Sequence, residues 1–398
     1  MKKNILLTLV IISGALMFIS LFNFTSPIEL PENIEENFFV LGVAVDKGDK
    51  DESSVKLTII SEKFGETSSD SSSSGSSSKQ ADIVSTEGST IFETIRNFNK
   101  FHSQKLFWGH IKYIIINEDL AKEDILNYLD FFIRDHELRF DTAVIIAKDT
   151  PANEILKLGE KNKEFIPDTL DSIFKNTQKI GVSDRISLID VMKSFENNYT
   201  DEFIPSISID ETYGEENSNI VLDGYGVFKD KKLIGYITDG TSRGLNWINN
   251  KVQSTAIVVD DQDGNKVSLE IINSSCEKKI KFNGEIPEVT LNLKFSTNVS
   301  ELMSQTSVFS EEDIKLLEEK QNKYVEEEIN KIINYSKAND VDILHISDDI
   351  YHQYPIKWEK ISDKWKDVLE QIDIKVNINS KINRTYHIKN PIGSDSES

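Results

Sequence analysis

Cysteine is nearly absent, with one residue, Cys276, in 398. A single thiol excludes an internal disulfide framework and any zinc site built on cysteines. Basic residues are in deficit: 45 Lys+Arg stand against 67 Asp+Glu, for a formal net charge of −22. Nucleic-acid backbones need a basic stripe rather than a carboxylate excess, so no nucleic-acid partner is expected. Broad docking on an anionic membrane surface is disfavoured for the same reason. The phosphate-loop motif G-x-x-x-x-G-K-[ST] and the Rossmann motif G-x-G-x-x-G are missing. The six histidines, His102, His110, His136, His345, His352 and His387, form no H-E-x-x-H or other metal spacing. They read as structural or surface residues, although His102 and His110 could meet in space. Carboxylates are too numerous for a glycosidase pair to stand out. No enzyme activity, cofactor or metal is expected.

Apolar runs long enough to cross a bilayer are also missing, except at the start. Lys2 and Lys3 precede the charge-free stretch Ile5–Phe22. That is just long enough for a spanning helix, which needs ~17–25 residues for ~30 Å of hydrocarbon. Positive charge before the run and Glu29, Glu32, Glu35 and Glu36 after it put the N-terminus inside and the bulk outside. An uncleaved anchor over residues 1–25 is favoured because no A-x-A-like site follows; a cleaved signal peptide is the competing reading. Thr67–Lys79 is low-complexity serine and reads as a flexible loop.

The remainder has the hydrophobic share of an ordinary folded protein, 38%. Strand signals at 38–46, 55–63, 113–116 and 143–147 alternate with helix signals at 90–101, 119–138 and 151–158. A helical connector covers about 165–197. Strands at 220–228 and 233–238 flank a KDKK turn, and 242–250 reads as a short helix. Strands at 254–259 and 267–272 flank Asp263-Gly264, a hairpin signal. Ser310 and Asp313 form an S-x-x-D cap for a long acidic helix ending near Asn339, followed by aromatic helices to 369 and a strand at 372–378. The expected fold is α+β: three sheet-plus-helix domains over 37–200, 201–262 and 263–392, with mixed or antiparallel sheets and the long helix on the last sheet.

Two motifs invite chemistry. Asp261, Asp263, Gly264 and Glu270 partly match a calcium loop, but its first ligand position would be Val259, which cannot coordinate a hard cation. A hairpin turn is favoured. Asp130–Arg134 and Asp135–Arg139 form two i,i+4 pairs on the expected 119–138 helix. They read as helix support or as a charged rim that grips a partner.

Three stretches taken in order resemble the Ger(x)C family, the C-subunits of spore germinant receptors. They are FWGH at 107–110 running through ILNYLDFFIRDHELRF, then GYGVFKDKKLIGYITDGTSRGLNWINN at 224–250, then YHQYPIKWEKISDKW at 351–365. The resemblance covers roughly 37–390. It implies a three-domain extracytoplasmic protein at the inner spore membrane, working beside A- and B-type subunits in nutrient-triggered germination, with no catalytic residues. Within the matching stretches, His110, Arg134, Asp135, Arg139, Gly244, Trp247, Trp358 and Trp365 are the candidate partner contacts. Gly244 and Trp247 read equally well as a turn and a core anchor. The family's lipobox cysteine is missing: FNFTSPIELPENIEEN occupies its place. Membrane attachment would then fall to Ile5–Phe22, which holds more firmly than one acyl chain. The alternative is an anchored solute-binding protein that captures the germinant itself; a cell-wall hydrolase is a third reading.

Overall fold

The computed structural model describes residues 37–50, 54–63, 79–196, 199–210, 212, 218–303 and 310–385. The expected anchor at 1–25 and nearly all of the serine tract lie outside them. Among the described residues no helix is long and apolar enough to cross a membrane.

The first half of the chain carries β1 (Asn37–Phe39), β2 (Gly42–Lys47), β3 (Val55–Glu62), β4 (Ala81–Gly88), α1 (Ile91–Phe98), β5 (Lys105–Phe107), β6 (Tyr113–Asn117), α2 (Glu118–Ala121), α3 (Leu126–Arg134), β7 (Ala143–Ala147), α4 (Ala152–Asn162), α5 (Ile166–Ile180) and α6 (Leu188–Glu196). It continues through β8 (Phe203–Asp210), β9 (Asn219–Lys229), β10 (Lys232–Ile237) and α7 (Asp239–Ile248). Eight of these strands make one sheet in the order β10-β9-β8-β7-β6-β2-β3-β4, and β1 pairs with β5 beside it. The centre, β2-β6-β7-β8, is parallel, and both edges are antiparallel.

A parallel centre is covered by helices on both faces, and the side chains alternate accordingly. Ile114 and Ile116 of β6 pack with Phe98, Leu129, Phe132 and Val191 on one face. Tyr113 and Ile115 pack with Ile155, Leu156, Ile166 and Leu170 on the other. Asp46 on β2 fastens one of these layers. Its carboxylate accepts from the backbone N–H groups of Ala152 (2.7 Å) and Asn153 (2.8 Å) at the start of α4. Pro151 precedes that helix and offers no side-chain cap of its own.

The second half holds β11 (Ala256–Asp260), β12 (Lys266–Phe282), β13 (Pro287–Leu302), α8 (Glu311–Asn339), α9 (Ile346–Gln353), α10 (Pro355–Ile361), α11 (Trp365–Gln371) and β14 (Asp373–Thr385). Its sheet runs β11-β12-β13-β14, with β14 parallel to β13 after the helical crossover. The α8 cap forms as its sequence implies: the Ser310 hydroxyl accepts from Asp313 N–H at 3.1 Å. The helix then lays Leu317, Val325, Ile329 and Ile332 into the core.

The structure corrects three expectations. Residues 201–262 do not form a separate sheet unit, because β8 pairs with β7 and brings β9 and β10 into the first sheet. The expected boundary at 262/263 cuts a hairpin, since β11 and β12 pair from Asp260 with Lys266 to Ala256 with Glu270. The expected helix over 119–138 is two helices, α2 and α3, separated at 122–125. The hairpin turns themselves form as expected. Asp230 (φ 50°) and Lys231 (φ 66°) turn β9 into β10, both left-handed as a type I′ turn requires. At Gly264 (φ 85°) the Asp261 carboxylate accepts from the N–H groups of Asp263 and Asn265, so this group closes a turn.

Asp46→Ala strands two helix N–H groups in a buried place. It should lower stability by about 1–2 kcal/mol, read as a shift in urea midpoint with an unchanged slope.

Candidate functional site

The eight candidate contact residues separate into two groups. His110, Arg134, Asp135 and Arg139 belong to the surface of the first half. His110 is exposed, with its ring against Phe39 and Phe107 (centroids 5.4 and 5.6 Å). Arg134 pairs with Asp130 at 2.8 Å, as the spacing implies. The second pair does not form. The chain leaves α3 at Asp135 (φ −73°, ψ 125°), and Arg139 instead holds Asp141 at 2.7 Å. The Phe107–His110 turn and the segment after α3 meet where Trp108 N–H donates to Glu137. Beside them Phe92 (53% exposed) and Phe131 (half-buried) lie 6.3 Å apart, with Arg96 over the Phe92 ring.

Gly244, Trp247, Trp358 and Trp365 are interior residues. The last two meet edge to face at 5.2 Å and are almost fully buried, so they anchor the helices under the second sheet. Gly244 and Trp247 belong to the contact of α7 with α8. A Cβ at Gly244 would stand 2.2 Å from the Glu328 carbonyl oxygen, so only glycine admits α8 at this separation. Beside it the Arg243 guanidinium grips the Glu328 carboxylate, Nε standing 2.9 Å from each oxygen. Trp247 Nε1–H donates to the same carboxylate at 3.0 Å, and Arg243 also donates to the Tyr324 hydroxyl at 2.7 Å. Burial works against the Arg243 charge, but the Glu328 carboxylate outweighs it and holds the guanidinium above its ordinary pKa.

A serine-nucleophile motif is read as absent from the sequence, but Gly240-Thr241-Ser242-Arg243-Gly244 spells G-x-S-x-G. A nucleophile elbow exposes its serine at a strand-to-helix turn. Ser242 instead lies inside α7, fully buried, and donates to the Asp239 carbonyl at 2.9 Å. Cys276, half-buried on β12, has its thiol pushed up to about 11 by burial and is a poor nucleophile at neutral pH. Among the described residues no group of three or more His, Cys, Asp or Glu side chains is placed to hold a metal.

One feature no motif signalled is a cleft of about 920 Å3 between α6, β8 and β9 on one side and α7 and α9 on the other. Glu202 lies in its wall, 4% exposed, and accepts from its neighbour Phe203 N–H at 2.7 Å. Burial pushes this carboxyl up to about 7, and the Asp190 charge adds to the effect. Asp201 next to it rises to about 6, chiefly through burial and despite its bond from Asp342 N–H. His345, in the left-handed region (φ 52°), is shifted the other way, its imidazole held below its ordinary value by burial.

Comparison with known proteins follows this architecture. Residues 31–209 match the family model described as spore germination protein N-terminal domain, and 223–386 match spore germination B3/GerAC like, C-terminal. Spore germination protein KC of Bacillus subtilis (strain 168) is 27% identical over 326 residues, covering 78% of this chain and 80% of that protein. Spore germination protein B3 of the same organism is 23% identical over 359 residues, covering 88% and 92%. The crystal structure of the GerBC protein aligns with a TM-score of 0.55 at 21% identity, covering 86% of this chain and 96% of that one, and shows the shared fold. Fold and matches together define a spore germination protein of the mixed α+β kind. The chain belongs to the Ger(x)C family, the C-subunits of spore germinant receptors.

Two measurements check the geometry. Gly244→Ala should cost at least about 2 kcal/mol, because the methyl meets backbone rather than a yielding side chain; chemical denaturation reads it. Glu202 titrates from its ordinary 4.5 in the unfolded chain and about 7 in the fold. The folded state therefore binds the extra proton, and this group's contribution to stability is present below pH 4.5 and lost as pH rises through 7. Glu202→Gln should melt progressively higher than the native chain between pH 5 and 8, by an amount on the order of 3 kcal/mol at the upper end.

Proposed function

We propose that this chain is a non-catalytic subunit of a spore germinant receptor, held at the inner spore membrane by its Ile5–Phe22 segment and acting through contact with A- and B-type subunits. The observation that carries the reading is the pair of family matches, which together span residues 31–209 and 223–386. Membrane attachment rests on the two lysines before that apolar run and on the missing lipobox cysteine. The subunits gather around the surface of α3 and the Phe107–His110 turn. Asp135 lies beside Phe92 and Phe131 there, Arg96 covers the Phe92 ring, and Arg134 and Arg139 stand exposed on α3 and the segment after it. Aromatic and arginine side chains are the types that carry binding energy at protein interfaces. Gly244, Trp247, Trp358 and Trp365 serve the fold and leave the contact to the first half.

Affinity capture of the tagged full chain from detergent-solubilised spore membranes should recover both an A-type and a B-type subunit. Arg134→Glu combined with Arg139→Glu should cut that recovery about tenfold, a loss of ~1.4 kcal/mol in binding, with only a small fall in melting temperature, because the Asp130 and Asp141 pairs it replaces are exposed. Capture that returns neither subunit removes the reading.

A further inference from the structure

The cleft beside α7 has features that subunit contact does not require. At about 920 Å3 it falls within the ~300–1,000 Å3 typical of small-molecule sites. Phe203 and Tyr225 give it an aromatic wall, their rings edge to face at 5.0 Å. Its lining carries five carboxylates, Asp184, Asp190, Glu196, Glu202 and Asp348, against three lysine or arginine cations. Two of those cations are already engaged. Lys251 pairs with Asp184 at 2.7 Å, which takes that carboxylate out of the count as well, and Arg185 donates to the backbone carbonyls of Lys112 and Asp141; Lys193 is the third cation.

Two buried groups in this wall are acceptors lacking a donor of matching strength. The Glu202 carboxylate receives a backbone N–H and lies beside Ser194, and the charge that acts on it is another carboxylate, Asp190. The His345 ring hydrogen-bonds the Asp201 backbone carbonyl, while its Nε2, shut off from solvent, has no hydrogen-bond partner. A neutral imidazole that donates through one nitrogen offers the other as an acceptor. A buried acceptor left unpaired is costly, so what fits here is a donor, and beside Glu202 and Asp190 a positively charged one.

We propose that this cleft binds a small organic amine, its ammonium facing Glu202 and Asp190 and a further N–H or O–H donating to His345 Nε2, with the carbon chain along Phe203 and Tyr225. The site goes beyond the subunit-contact reading and stands independently of it, since none of its lining residues belongs to the α3 surface. An anion is excluded by the same carboxylates. A neutral diol satisfies the acceptors without the charge and therefore binds more weakly.

Calorimetric titration of the full chain in detergent, with 1,4-diaminobutane, butane-1,4-diol and succinate as probes, tests the proposal. The diamine should bind saturably and at least about tenfold tighter than the diol, and succinate should give no heat of binding. Glu202→Gln keeps the shape and the acceptor oxygen for Phe203 N–H; it should weaken the diamine about tenfold and leave the diol unchanged. His345→Asn, which retains a residue suited to the left-handed region, should weaken both. Melting curves confirm that each variant is folded, and the native chain decides the matter even if one is not. Absence of saturable diamine binding, equal binding of diamine and diol, or binding of succinate overturns the proposal. Because the readout is on the isolated chain, its failure leaves subunit capture untouched, and the reverse also holds.

Discussion

A single buried carboxylate, Glu328, orders the contact on which the two sheets depend. Its side chain is 4% exposed and that of Arg243 is 14% exposed. A charge this far from water is tolerated only when it is paired and its remaining lone pairs are filled. Arg243 supplies the pairing and Trp247 the further donor, both from α7. Gly244 lets the backbone of α8 approach closely enough for that to happen. The other side of α7 is tied to the first sheet: Asn246 accepts from the Tyr225 hydroxyl on β9 at 2.8 Å and donates to the Gly181 carbonyl after α5 at 2.8 Å. One ten-residue helix thus holds both sheets. Removing either charge would leave the other buried and unpaired, which is the costly state.

The position of the cleft follows from that arrangement. Its walls come from α6, β8, β9 and α7 of the first half and from α9 of the second, so its shape is set by how α7 meets the second sheet. The same junction carries further links, among them Asp342 N–H to Asp201 at 2.7 Å and Lys229 to Asp340 at 3.0 Å. Glu202 and Asp201 at this seam are pushed upward by burial, whereas Asp130 and Asp141 at the α3 surface face solvent and hold arginines. The two regions have different chemistry because one is a seam and the other an outer face.

Much of the fold was legible in the sequence wherever the signal was local. The KDKK and Asp-Gly turns, the Ser310 cap, the long α8 and the alternation of strands and helices all depend on residues within a few positions of one another. Pairings between distant strands were not legible. Nothing in residues 203–210 announces that they lie beside β7 rather than begin a new sheet, because a short buried strand reads alike in either place. The candidate site was legible in part. Arg134 pairs with Asp130 as its spacing implies, but Arg139 does not reach Asp135, since the helix ends one turn too soon. Trp358 and Trp365 could not be told from exposed aromatics by sequence, and tertiary packing put them inside. Glu202 and His345 carry no motif at all; they become neighbours only through the junction of the two sheets.

Native-state hydrogen exchange on the α7 amides tests the dependence on Glu328 most directly. If α7 joins the two sheets into one cooperative unit, amides 244–248 and those of the central strands β6 and β7 will open with the same free energy and the same denaturant dependence. Exchange of α7 through a smaller opening, with β6 and β7 still protected, would show that the sheets are stable without the lock and would contradict the account.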